Sequence, residues 1–209
     1  MEGKNISRKE QVKRAIFRQS PAYVPMLFFN KDKEQSDIIM IEVVRHFMGS
    51  NKDTSEWGFV WEKYDETMGQ PAEVLIKHWD ALDQLAIPDP RDAGRYKEVE
   101  STMELYGRDR YYLASLVLTG FTVMTFLRGF SNTLEDLYFE REKISILADI
   151  VFGFEEEIIR QLKSFSFDGV AFFDDWGTQT NLIISPELWR DFFKPRYKRQ
   201  FDLAHGMGL

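Results

Sequence analysis

Asp174 and Asp175, set directly after the apolar run Val170-Ala171-Phe172-Phe173, are the residues best placed to do chemistry. Where a buried parallel strand ends, its first polar side chains meet the ligand-facing rim, and a carboxylate there can orient a substrate or exchange a proton. Neighbouring strand residues point to opposite faces, so at most one of the two acids projects inward. The competing reading is a strand exit whose acids cap turn amides. Trp176 and Gln179 follow, with Thr178, Thr180 and Asn181 around them. Neutral hydrogen-bonding groups of this kind suit a polar organic ligand better than a metal.

A second apolar run, Tyr111 to Thr119, brings Thr119 to the same rim, and Arg128 lies shortly beyond it. Arg128 either offers its fork to a carboxylate or phenolate or pairs with Glu135 or Asp136. Trp57, Trp61 and Trp79 either line an apolar pocket or pack in the core, the commoner fate of large aromatics. His46, His78 and His205 are far apart in the chain, and there is no cysteine. These residues therefore hold no local metal motif, no disulfide and no thiolate nucleophile.

Positioning these groups requires strands that alternate with helices. Ser7-Arg8-Lys9-Glu10 is a capping box opening a helix over about 7–19. Val24–Phe29 and Ile38–Val44 are strand candidates. Residues 56–90 read as a strand, a loop and a short helix, and residues 92–105 have helical character. Leu134 to Phe165 carries apolar residues at three-and-four spacing, which predicts one long helix or two joined near Gly153. Val170–Phe173 is a strand, and Ser185-Pro186-Glu187 starts a last helix with an N-cap, an N1 proline and an early acid. Buried strands covered by helices predict a parallel α/β sheet. No G-x-G-x-x-G follows any candidate strand, which favours a barrel over a doubly wound sheet.

Composition narrows the class. The 209 residues are 44% hydrophobic, enough for one core, so residues 1–209 read as a single domain. With 27 basic against 34 acidic residues the net charge is −7, which makes nucleic acid a poor partner. The N-terminus has no hydrophobic signal core and no apolar run nears the ~20 residues that span a bilayer, so a cytoplasmic protein without membrane contact is expected.

Asp168 to Gln179, followed by Ile184 to Tyr197, resembles the central signature of the uroporphyrinogen decarboxylase superfamily. Shorter pieces agree with it: Arg14-Ala15-Ile16, Val24-Pro25, Trp57-Gly58, Gly69-Gln70-Pro71 and Pro88-Asp89-Pro90. The resemblance implies a (β/α)8 TIM-type barrel and one of two chemistries, cofactor-free decarboxylation of uroporphyrinogen or zinc-dependent methyl transfer involving a corrinoid protein. The decarboxylases place an Arg-Gln-Ala-Gly-Arg segment after the first strand to grip an octa-anionic substrate. Here Phe28 to Glu34 stands in that place and the next arginine is Arg45, so the methyltransferase-like branch is the better match.

That branch implies a small methyl donor, a methoxylated aromatic or a simple methylated compound. Asp174 or Asp175 and Gln179 would position it, and Trp176, Thr119, Arg128 and Trp61 would shape its pocket. The family's zinc ligands, a His-x-Cys pair and a later cysteine, would fall on strands after Leu209. The chain is thus expected to be the N-terminal part of an incomplete barrel, roughly five-eighths of it, binding no cofactor and turning over nothing alone. Zinc and a corrinoid partner are expected for the full-length parent, and a homodimer is a candidate assembly. A decarboxylase homologue and a non-catalytic binding module are the alternatives.

Overall fold

The computed structural model describes residues 6–45, 54–62 and 70–209. Its regular elements begin with α1 (Arg8–Ile16), β1 (Ile38–Glu42), β2 (Trp61–Glu62) and β3 (Gln70–Pro71). Then come α2 (Val99–Tyr106), β4 (Tyr111–Ser115), α3 (Gly120–Arg128), α4 (Phe130–Phe139) and α5 (Arg141–Gln161). The chain continues through β5 (Gly169–Ala171), α6 (Pro186–Leu188) and α7 (Lys194–Gly206), the last two bridged by a π-turn at Trp189–Phe193.

Strands β1, β4 and β5 form one parallel sheet in that order, while β2 and β3 make a separate antiparallel pair. Spatial order follows chain order with helices between the strands, so the sheet has no point where its direction of winding reverses. The architecture is α/β with parallel strands and covering helices, consistent with an incomplete TIM-type barrel.

Alternation along β1 explains how the sheet is held. Ile39 and Ile41 are buried while Ile38 and Met40 are half-buried, and in β4 the same outer face carries the buried Tyr112 and Ala114. That outer face joins one core with Val151, Phe152, Ile158 and Ile159 of α5. Each such aliphatic side chain contributes about 1.5–3 kcal/mol through removal from water.

Local signals account for most boundaries. Ser7 caps α1 by accepting the Glu10 amide at 3.2 Å, and Ser185 caps α6 by accepting the Leu188 amide at 3.2 Å. The Val24–Phe29 run, however, is no strand. Its amides bond to side chains instead of a ladder: Met26 N donates to Asp37 Oδ2 at 2.9 Å and Phe28 N to Ser36 Oγ at 2.8 Å. Among their described part, residues 56–90 contain two short strands, β2 and β3, where one was expected, and the short helix is a 3-10 helix at Trp79–Gln84.

The long helical stretch breaks at Glu140 and not at Gly153. Gly153 costs only about 1 kcal/mol inside a helix, and its neighbours Phe152 and Phe154 are buried deeply enough to outweigh that. Helix α3 was not anticipated at all. Its residues are apolar and β-branched, and its amide caps arrive from distant parts of the chain. His46 and Gly69 lie outside the described residues. Among the described residues no helix is long and apolar enough to cross a membrane.

Candidate functional site

The three parallel strands deliver one row of side chains to a common rim, because Glu42, Ser115 and Ala171 are register partners at their carboxyl ends. Above this row lies a cavity of about 540 Å³. Its wall is mostly apolar, built from Phe28, Phe29, Met40, Val117 and Phe173. Its polar lining residues are Lys33, Glu42, Ser115 and Asp175. The size and the few convergent polar groups are those of a small-molecule site. Partial desolvation draws the Glu42 carboxyl above the ordinary carboxylate range, although the residue as a whole is exposed.

Asp174 and Asp175 part ways as their alternation requires. Asp175 lines the cavity and stays exposed. Asp174 turns back to the N-terminus of α3, where it accepts from Phe121 N at 3.0 Å, Thr122 N at 2.8 Å and Thr122 Oγ1 at 2.5 Å. Tyr197 OH also donates to it, and Trp176 Nε1 donates to Tyr197 OH at 3.2 Å. With the Asp175 amide at 3.1 Å, five donors hold Asp174 in place, so it is a helix-capping group; burial still raises its pKa despite them.

A second carboxylate completes this network. Glu155 is 2% exposed and accepts from Gly120 N at 2.7 Å and from Gln200 Nε2 at 2.6 Å. Burial, with the charge of Asp174 adding to it, pushes its pKa up to about 8. The same burial, and the proximity of Asp174, raise the Tyr197 phenol. Two acids thus share the positive end of α3, whose macrodipole favours negative charge there.

The remaining expected site residues divide between rim and core. Thr119 is fully buried and both its amide and its hydroxyl donate to Phe173 O at 3.0 Å, tying β4 to β5 at the rim. Trp176 stacks on Phe121 at 4.4 Å and meets Phe193 edge-on at 4.6 Å, so it packs against α3 and the π-turn and is not among the cavity's lining residues. Gln179 is exposed on the loop closed by the Gly177–Leu182 bridge, away from the residues that line the cavity.

Arg128 and Trp61 do not shape the pocket. Arg128 Nε pairs with Asp136 at 2.7 Å, its Nη1 donates to Ile76 O and Lys77 O at 2.8 Å, and its guanidinium covers the Trp79 ring. No fork is left to offer a ligand. Trp61 is buried against Phe59 and Phe126, as a core aromatic. A second cavity of about 340 Å³ beside Arg45 and Arg95 is built on ion pairs, Arg95 with Glu56 at 2.5 Å and Arg45 with Asp92 at 2.8 Å.

Glu42, Ser115 and Glu155 were not singled out from sequence. Glu42 and Ser115 are polar residues set inside two apolar runs, Ile38–Val44 and Tyr111–Thr119, which is the signal that could have marked them. Glu155 sits in the buried stripe of α5, four residues from Val151 and from Ile159, which marks it as a carboxylate facing the core. The residues present do not fit a zinc site, since the chain has no cysteine and no group of three His, Asp or Glu side chains converges among the described residues.

A family model described as uroporphyrinogen decarboxylase (URO-D) matches residues 63–208. Searches of curated proteins and of solved structures gave no match.

Proposed function

This chain belongs to the uroporphyrinogen decarboxylase family, and we propose that its rim cavity binds the small methylated donor of a methyl-transfer enzyme. The observation that carries this reading is the cavity wall, seven apolar side chains around two acids and one serine, with Lys33 the one cation among the described lining residues. A substrate with eight carboxylates needs a cluster of arginine forks, and here Glu42 and Asp175 would repel it.

In this reading Asp175 and Glu42 orient the donor, Ser115 supplies a hydrogen bond, and Phe28, Phe29 and Phe173 exclude water around it. A methoxylated aromatic or a simple methylated compound fits the lining. Passage of the methyl group to a corrinoid carried by a partner protein is the reaction class we assign to this site. The zinc expected for that branch finds no ligand set in the described residues, so no step here runs through it.

An NMR titration of the uniformly labelled chain tests the reading. 2-Methoxyphenol or trimethylamine at millimolar concentration should shift amides of residues 28, 29, 42, 115 and 175, and uroporphyrin should leave them unmoved. Shifts of these amides by uroporphyrin and not by either small compound would establish the decarboxylase alternative instead.

A further inference from the structure

We propose that the ligand this cavity is built for is a small organic cation, a methylated ammonium compound seated between Glu42, Asp175 and the rings of Phe28, Phe29 and Phe173. The inference rests on the cavity being the donor site and narrows that donor by its charge.

Three observations converge on it. First, the two carboxylates that line the cavity are uncommitted. Glu42 and Asp175 form no ion pair and accept no hydrogen bond among the described residues, whereas Asp174, Glu155 and Glu56 are each held by two or more donors. Burial is the cause that raises the Glu42 pKa. A cationic ligand would supply the missing compensation.

Second, Ser115 is 3% exposed and its Oγ has no hydrogen-bond partner. It lines the cavity and stands opposite Glu42 in the parallel register. A buried hydroxyl left unpaired costs about 1–3 kcal/mol, so a polar group entering beside Glu42 recovers that cost.

Third, the rest of the wall is aromatic and aliphatic. The faces of aromatic rings attract quaternary and methylated ammonium groups, while the methyl groups themselves gain from leaving water. Lys33 does not cancel the acids, because its ammonium lies over the Tyr106 ring at 5.6 Å and the lining carries two carboxylates against this one cation. The combination of ring faces, a thioether at Met40 and unpaired carboxylates discriminates a methylated cation from a neutral ether of the same size.

Choline and its neutral isostere 3,3-dimethylbutan-1-ol separate charge from shape. Titrated into the full 209-residue chain and followed by NMR, choline should shift amides 28, 29, 42, 115 and 175 at a concentration at least tenfold below that of the isostere. Glu42→Gln and Asp175→Asn should each weaken choline about five- to tenfold and leave the isostere unchanged, with circular dichroism and amide spectra confirming that both variants fold. Equal binding of choline and isostere, or variants without effect, overturns the inference. If 2-methoxyphenol then still binds, the donor-site reading survives alone; if only uroporphyrin binds, both fall.

Discussion

The carboxylate of Glu155 accepts the Gly120 amide at 2.7 Å, and that of Asp174 accepts the next two amides, from Phe121 at 3.0 Å and Thr122 at 2.8 Å. Three consecutive donors at the start of α3 are thereby satisfied by side chains 35 and more than 50 residues away. The arrangement fastens α3, α5, α7 and the segment after β5 to one point.

Asp174 and Asp175 should therefore respond differently to removal. Asp174→Ala leaves two helix amides, the Thr122 hydroxyl and the Tyr197 phenol without their acceptor, and should cost about 3 kcal/mol. Asp175→Ala touches an exposed side chain and should cost less than about 0.5 kcal/mol. Urea denaturation midpoints of the two variants check this, and equal losses would contradict the division of roles.

Glu155 gives stability a pH dependence of known sign. Its pKa is about 8 in the folded chain against about 4.3 for an unperturbed Glu. The native state thus binds the extra proton, and this group's contribution, complete below the unfolded value, is lost as pH rises toward 8. Stability falls across that window on the order of 1 kcal/mol per pH unit at most. When protonated, Glu155 can donate to Gln200 Oε1, a buried atom otherwise without a partner, once the Gln200 amide turns over. Glu155→Gln can make both bonds with no charge, so its urea midpoint should be nearly flat from pH 5 to pH 8 where the parent's declines.

Much of this was readable from the chain and some was not, for identifiable reasons. Ile38–Glu42, Tyr111–Ser115 and Gly169–Ala171 announce themselves because one face is buried and most of the other is half-buried, which leaves nearly unbroken apolar runs. The Val24–Phe29 run has the same look, but Asp37 and Ser36 compete for its amides, and side-chain competition leaves no periodic trace. The acidic pair was legible as a rim feature; which of the two faces the ligand depended on Thr122 and Tyr197, residues far off in sequence. Arg128 carried two readings until Asp136 came within 2.7 Å of it.

Gly120 is the narrowest point of the network. Its φ is +44°, and a Cβ there would lie 2.7 Å from Tyr197 OH, 2.8 Å from Phe152 Cζ and 2.9 Å from Asp174 Oδ2. Phe152 is fully buried and cannot retreat. Gly120→Ala should cost about 3 kcal/mol from strain and overpacking together. A differential scanning measurement with an unchanged midpoint would show that the α3 start can shift without loss.

Arg128 should behave as a structural cation. Arg128→Ala strands Asp136, itself 5% exposed, and should cost about 3–5 kcal/mol. Arg128→Met with Asp136→Leu removes both charges and should recover much of that loss. Ligand shifts at residues 42, 115 and 175 should be the same in the double variant as in the parent, since the pair lies outside the cavity lining.

Asp37 ties the cavity wall to the sheet, and its loss should be felt in binding before stability. It is 2% exposed; its carboxylate accepts from Tyr23 OH and from Met26 N, each at 2.9 Å, while its amide donates to Met26 O at 2.8 Å. These bonds anchor the segment that carries Leu27, Phe28 and Phe29 to the cavity. Asp37→Ala breaks the two side-chain bonds, leaving a segment whose Val24 is 82% and Phe29 67% exposed held by the Asp37 and Ile38 amides on Met26 O and by Ser36 Oγ at Phe28. Hydrogen exchange at residues 24–29 should accelerate at least tenfold while exchange in β4 stays unchanged, and small-ligand shifts at Phe28 and Phe29 should weaken in parallel. Unchanged exchange in 24–29 would mean that the wall is held by something other than Asp37.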